Sequence, residues 1–172
     1  MLILVSHKTY ACWCHEKSKS LEKEFDSRDL IFKGKVSSID TLIYADTVYR
    51  SNNRKRGKNY DVIYVVSLVI KVDILATYKG SGMLHNASII TGLGDGDCGF
   101  PFDIGSNYII YADKQQFHVI ENFDSYRSKG GLSSAPSRLM STYSTNICTW
   151  TAAFDSEREN KLKALSISKN GR

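Results

Sequence analysis

No apolar run among these 172 residues reaches the length of a transmembrane helix, so nothing in them reads as a helical membrane span. Recognisable catalytic arrangements are also missing. No Ser/His/Asp set or paired carboxylate has a context that would make it reactive, and His7, His15, His85 and His118 are scattered. The stretch Gly92-Leu93-Gly94-Asp95-Gly96 lacks the Gly-Lys-Ser/Thr ending of a phosphate-binding loop, and no helix pattern follows it. It reads as a connector that places Cys98. Asp95 and Asp97 are two carboxylates, too few for a calcium site. The chain therefore reads as a protein that is not an enzyme, with no cofactor and no resident metal.

Cysteine is scarce, and its placement is informative. Cys12 and Cys14 form a Cys-Trp-Cys triplet, while Cys98 and Cys148 stand alone far downstream. A structural zinc site usually takes two close pairs with two to four residues between the members of each, which this spacing does not offer. Two long-range disulfides account for the even number. They would tie the segment around Cys12 to two remote parts of the chain, and such bonds persist in an oxidising compartment. This predicts a secreted, extracellular or periplasmic protein. Reduced, Cys12, Cys14 and His15 could hold a soft metal such as copper or zinc, but export favours disulfides and a surface histidine.

The remaining composition is that of one folded domain, with 42% hydrophobic residues. Ten tyrosines, seven phenylalanines and many Val and Ile residues favour strands. The formal net charge is +5 and the pI near 9.0, which permits binding to a polyanion or an acidic protein surface. Arg50, Arg54, Lys55, Arg56 and Lys58 concentrate that charge in one basic loop, the candidate for such binding against its reading as a solvated hairpin tip. A basic barrel could also take single-stranded nucleic acid, but disulfides and export argue against it.

Residues 1–11 read as the end of a signal peptide. Met1-Leu2-Ile3-Leu4-Val5 is apolar, and Thr9-Tyr10-Ala11 puts small residues three and one before Cys12, as a signal peptidase site requires. The mature domain would then be residues 12–172. Residues 16–25 predict a short helix with Leu21 and Phe25 on one face. Residues 29–39 predict a strand in which Leu30, Phe32, Gly34 and Val36 share a face, with Gly34 at a bulge or bend. Residues 42–50 and 61–79 are strand-like arms around the basic loop. In the second arm Leu68, Ile70, Val72 and Ile74 alternate with Ser67, Val69, Lys71 and Asp73.

Residues 87–91 predict a strand, and residues 108–112 predict another that pairs with 117–122 across Lys114-Gln115. Residues 125–145 read as a loose polar stretch. A C-terminal helix begins near Asp155 or Ser156, where Ser156 and Glu159 suit a capping box. The expected inward-facing set is Leu30, Phe32, Val36, Leu68, Ile70, Val72, Ile109 and Tyr111. Five or six short strands with a helix at each end predict an all-β chain with flanking helices, as a five-stranded Greek-key barrel of the OB type.

The ordered set Cys-x-Cys, Asp29-Leu30-Ile31-Phe32-Lys33-Gly34-Lys35-Val36, Tyr78-Lys79-Gly80, Cys98-Gly99 with Phe102 and Gly105, Tyr108-Ile109-Ile110-Tyr111-Ala112 and Cys148-Thr149 resembles the netrin-like module. The best-known members of that family are the tissue inhibitors of metalloproteinases. The resemblance runs from Cys12 to about Leu165. It implies a disulfide-stapled OB-type barrel and, by position, the pairs Cys12–Cys98 and Cys14–Cys148.

The resemblance also implies a mechanism. The first cysteine becomes the N-terminal residue, and its amine and carbonyl oxygen chelate the zinc of a metalloendopeptidase, displacing the attacking water. The next side chain enters the protease pocket. These roles fall on Cys12 and Trp13, where Trp13 stands in place of the Thr or Ser of the animal inhibitors. The expected function is therefore a secreted inhibitor of zinc metalloendopeptidases. The other reading is an extracellular, non-inhibitory module that binds a protein or polyanion through its barrel or basic loop.

Overall fold

The computed structural model describes residues 20–49, 60–80, 85–94, 97–120 and 137–170. Helix α1 (Leu21–Ser27) opens on Ser20, whose extended backbone and side-chain oxygen, accepting from the Lys23 N–H at 3.3 Å, cap its first turn. Six strands follow: β1 (Leu30–Tyr49), β2 (Tyr60–Lys79), β3 (Asn86–Thr91), β4 (Asn107–Ile120), β5 (Ser137–Ser144) and β6 (Ala152–Ala153). Helix α2 (Ser156–Asn170) ends the described chain. Among the described residues the fold is mostly β with two helices. Among the described residues no helix is long and apolar enough to cross a membrane.

Five strands form a ring in the order β1-β2-β3-β5-β4, and β1 meets β4 again. The β1–β2, β2–β3 and β4–β5 pairs are antiparallel, and β3–β5 is parallel. Closure sets Leu30 opposite Ala112 and Lys35 opposite Asn107, with a second contact at Tyr44 opposite Val119. Gly34 sits at a register shift of β1 against β2, as the sequence predicts. A Cβ there would lie 2.3 Å from Val72 Cγ1, so the strands approach this closely only because the side chain is missing.

The period-two alternation of β1 and β4 sorts their side chains onto two faces. Leu30, Phe32 and Val36 join Ile70, Val72, Ile89, Phe102, Tyr108, Ile110 and Ala112 in one buried cluster. The intervening Ile31, Ile109 and Tyr111 pack with Phe25 of α1 and Leu162 of α2 in a second. The expected core residues are thus confirmed as buried for Leu30, Phe32, Val36, Ile70 and Val72, and Leu68 is partly buried against the same cluster. Ile109 and Tyr111 are buried but face the helices, one residue out of the expected register on β4.

Two other expectations are corrected. The predicted turn at Lys114-Gln115 is extended strand, and β4 is continuous from Asn107 to Ile120. Its partner is β5, from Asp113 opposite Ser144 to Ile120 opposite Ser137, within the stretch that reads as loose and polar. Ser141, Thr142 and Ser144 conceal this strand, because only Met140 and Tyr143 of its described side chains pack onto the apolar clusters. At the start of α2, Asp155 provides the cap, its side chain accepting from Glu157 N–H at 3.0 Å. Glu159 instead accepts from the Tyr78 hydroxyl at 2.9 Å and fixes α2 to β2.

Candidate functional site

The strongest sequence signal, the four cysteines, divides at the boundary of the described residues. Cys12, Trp13, Cys14 and His15 lie outside them, as do Arg50, Arg54, Lys55, Arg56 and Lys58. The hairpin that carries the basic stretch is described up to its last pair, Tyr49 opposite Tyr60. Cys98 and Cys148 are described, and the fold brings them to one rim. The Ile147 N–H donates to the Cys98 carbonyl at 2.9 Å, and the Thr145 N–H donates to the Ile90 carbonyl at 2.9 Å. Neither cysteine is a free thiol.

The loop that holds Cys98 is built around a single carboxylate. Asp97 accepts backbone N–H groups from Leu93 at 2.6 Å, Gly94 at 2.8 Å and Gly99 at 3.2 Å. Burial alone would raise its pKa, but these donors outweigh that effect and hold the carboxyl below its ordinary value. Gly99 is pressed so closely on Gly92 that an added Cβ would lie 2.2 Å from the Gly92 carbonyl oxygen. Cys98 has φ 62, the left-handed region that residues with a side chain seldom occupy. Thr91 closes the loop by accepting the Phe100 N–H at 2.8 Å. Residues 92–94 and 97–99 therefore form the described part of a connector that places Cys98, and Asp97 is its lock.

The turn that holds Cys148 is secured by hydroxyls. Asn146 Oδ1 accepts the Cys148 N–H at 2.8 Å, and Thr149 Oγ1 donates to the Asn146 carbonyl at 2.8 Å. Thr145, Thr149 and Thr151 are buried and lie 2.8–3.0 Å from one another through their Oγ1 atoms. Their cluster also takes the main chain of Tyr111, whose N–H donates to Thr151 at 3.0 Å and whose carbonyl accepts from Thr145 at 2.8 Å. Tyr111 lies between the β6 pairing at Tyr108–Ile109 and the β5 pairing that begins at Asp113, so these hydroxyls stand in for a strand neighbour. Sequence reading missed this device. Its signal is the threonine spacing on both sides of Cys148, and in the first connector the Asp that stands directly before Cys98-Gly99.

A cavity of about 170 Å³ adjoins the rim, with Tyr44, Ile90 and Phe117 among its apolar walls and Gln115, Cys98 and Asn146 among its polar ones. Leu93 is 56% exposed and Ile147 41% exposed, so apolar side chains reach solvent beside both cysteines. A second hollow, of about 740 Å³, lies between the helices over Leu21, Trp150, Ala164 and Leu165. Among the described residues no group of three or more His, Cys, Asp or Glu side chains could hold a metal ion. Asp97, the carboxylate beside Cys98, already has both oxygens occupied by backbone donors, which leaves it a structural part.

No protein-family model matches the chain, and no curated protein matches it.

Proposed function

We propose that the chain is a secreted inhibitor of zinc metalloendopeptidases, in which Cys12, freed as the N-terminal residue, chelates the protease zinc through its amine and carbonyl oxygen. One observation carries the reading: Cys98 and Cys148, remote in sequence, are held at one rim by the Ile147-to-Cys98 hydrogen bond. Two anchors so close can grip both cysteines of a Cys-x-Cys triplet. The pairs proposed are Cys12–Cys98 and Cys14–Cys148, with the five-stranded ring as a barrel of the OB type. Side chains alternate along an extended triplet, so with both cysteines turned to the rim Trp13 faces outward toward a partner. The locked connector and the hydroxyl-bound turn support a rigid wedge, which loses little conformational entropy on docking. An α-amine with a pKa of about 7.7–8.0 is neutral often enough near neutral pH to ligate zinc.

The test is titration of a panel of zinc endopeptidases with protein processed at Cys12 and with a form carrying one additional alanine before it. The extension turns the amine into an amide nitrogen, a poor zinc ligand. Stoichiometric inhibition by the first form and none by the second is the expected result. No inhibition by either would leave the chain as a non-inhibitory extracellular binding module, and equal inhibition by both would show that the amine of Cys12 is not the zinc ligand.

A further inference from the structure

The triplet Asn86-Ala87-Ser88 is the one place in the chain where an asparagine is followed two residues later by Ser or Thr with no proline between, the pattern that an N-glycan transferase reads. It opens β3, and the register of that strand decides where its side chains point. Asn86 stands opposite Asp73 of β2, and Ser88 opposite Lys71. Cross-strand partners share a face, and so do residues two apart on one strand. Lys71, Asn86 and Ser88 are all exposed, whereas the alternate residues Val72 and Ile89 are fully buried in the ring interior. A register slipped by one residue would turn Asn86 and Ser88 inward. Among the described residues neither the Asn86 amide nor the Ser88 hydroxyl has a hydrogen-bond partner to give up. On the other side of β3, β5 pairs only at Ile89 and Ile90, so among the described strands none lies against that side of Asn86.

We propose that Asn86 is a glycosylation site, to which an oligosaccharide is attached as the chain is exported. This rests on the export contained in the proposed function and not on zinc chelation. Asn86 Nδ2 attacks the anomeric carbon of a sugar that a lipid carries as its pyrophosphate. The new C–N bond forms as the bond from that carbon to the phosphate oxygen breaks. The lipid pyrophosphate leaves with the electron pair of the broken bond, and the amide gives up one proton to solvent. Transfer takes place on the extended chain before it folds, so the finished fold has to leave the product outside. The outward register of Asn86 does this. The glycan also stays clear of the cysteine rim. Thr91, which closes the Cys98 connector, lies at the opposite end of β3, and five steps of about 3.3 Å separate the two residues by about 17 Å.

The full chain behind an established secretion signal, produced in a eukaryotic cell that has the transferase, should carry a glycan at Asn86. The readout is intact mass before and after an amidase that cleaves the bond between asparagine and sugar and leaves an aspartate at position 86, with peptide mapping to locate it. Asn86→Gln and Ser88→Ala should each abolish the mass difference, the second with the asparagine still in place. Ser88→Thr keeps the hydroxyl and should retain it. Chains are collected from the medium and from the secretory compartments, and removal of the added signal marks those that entered. Because the sugar is added before folding, occupancy is read even for a variant that folds poorly. Chains that entered without sugar, a glycan mapped to another asparagine in place of Asn86, or one that persists in Ser88→Ala would overturn the inference. The added signal delivers the chain whatever residues 1–11 do, and no protease is used, so this failure and the failure of the inhibitor reading are separate outcomes.

Discussion

The Ile147 N–H and the Cys98 carbonyl oxygen meet at 2.9 Å, joining the turn that bears Cys148 to the connector that bears Cys98. That bond makes one platform of two loops, and each loop has its own lock: Asp97 for the first, and Thr145, Thr149 and Thr151 for the second. Whatever is attached to either cysteine inherits the rigidity of both.

Asp97→Asn should loosen this platform. The substitution keeps the size but replaces a charge-assisted acceptor of three N–H groups with a neutral one, at a cost of about 1–2 kcal/mol. The pH dependence has a definite sign. The carboxyl pKa is lowered by folding, so the stability it contributes is fully present above the unfolded value of about 3.9 and is lost as pH falls through the folded value. Urea midpoints measured from neutral to strongly acidic pH should fall less steeply below pH 4 in Asp97→Asn than in the parent. Equal slopes would show that the carboxylate does not lock the loop.

Two glycines of the same connector, Gly94 and Gly99, should respond differently to alanine. Gly99→Ala puts a Cβ 2.2 Å from the Gly92 carbonyl oxygen, a backbone atom that can give way only if the chain itself shifts, for a loss of roughly 2–4 kcal/mol. Gly94 has φ 98 with open space around it, so Gly94→Ala carries only the conformational penalty, roughly 1–2 kcal/mol. Thermal melts of both variants give the order. If Gly94→Ala were the worse, the close approach of Gly99 to Gly92 would not be the controlling contact.

Ile70→Ala tests the interior of the ring. Ile70 is 0% exposed, and deletion of such a side chain costs about 2–5 kcal/mol, part transfer and part cavity. Its neighbour Lys71 is 59% exposed and pairs with Asp40, so Lys71→Ala should change stability by less than about 1 kcal/mol. Denaturant unfolding of the two variants separates inward from outward positions on β2. Similar losses would mean that the register is not the one described.

The register of β2 was legible because Leu68, Ile70, Val72 and Ile74 alternate with polar or smaller residues, and a period of two has one reading when one face is wet. The register of β4 was not. Residues 108–112 are apolar without interruption because β4 is covered on both faces, by the ring interior at Tyr108, Ile110 and Ala112 and by the helices at Ile109 and Tyr111. A continuous apolar run carries no phase. β5 was hidden for the opposite reason, since its serines and threonines resemble a loop until β4 gives them a partner. At the rim, the cysteines were visible in the sequence, but the bond from Ile147 to Cys98 joins residues that no local pattern relates. The roles of Asp97 and the three threonines depend on backbone groups, which have no letter in the sequence.

The last expectation concerns the face that the rim presents. Leu93 and Ile147 are exposed apolar side chains beside Cys98 and Cys148, and a partner that receives a Cys12–Trp13 wedge would cover them. Ile147→Lys should then weaken inhibition of a responsive metalloendopeptidase at least about tenfold, because a desolvated lysine without a counter-charge is costly at an interface. The melting temperature should hardly move, since the substituted side chain is exposed while the Ile147 N–H bond to Cys98 is retained. Ile104→Lys changes an exposed residue of similar size in the turn that leads into β4 and should leave inhibition unchanged. Inhibition constants for the three proteins against one protease make the comparison. Equal constants for Ile147→Lys and the parent would move the partner-facing surface away from this rim, and the proposal that the paired cysteines mount the inhibitory wedge would fail with it.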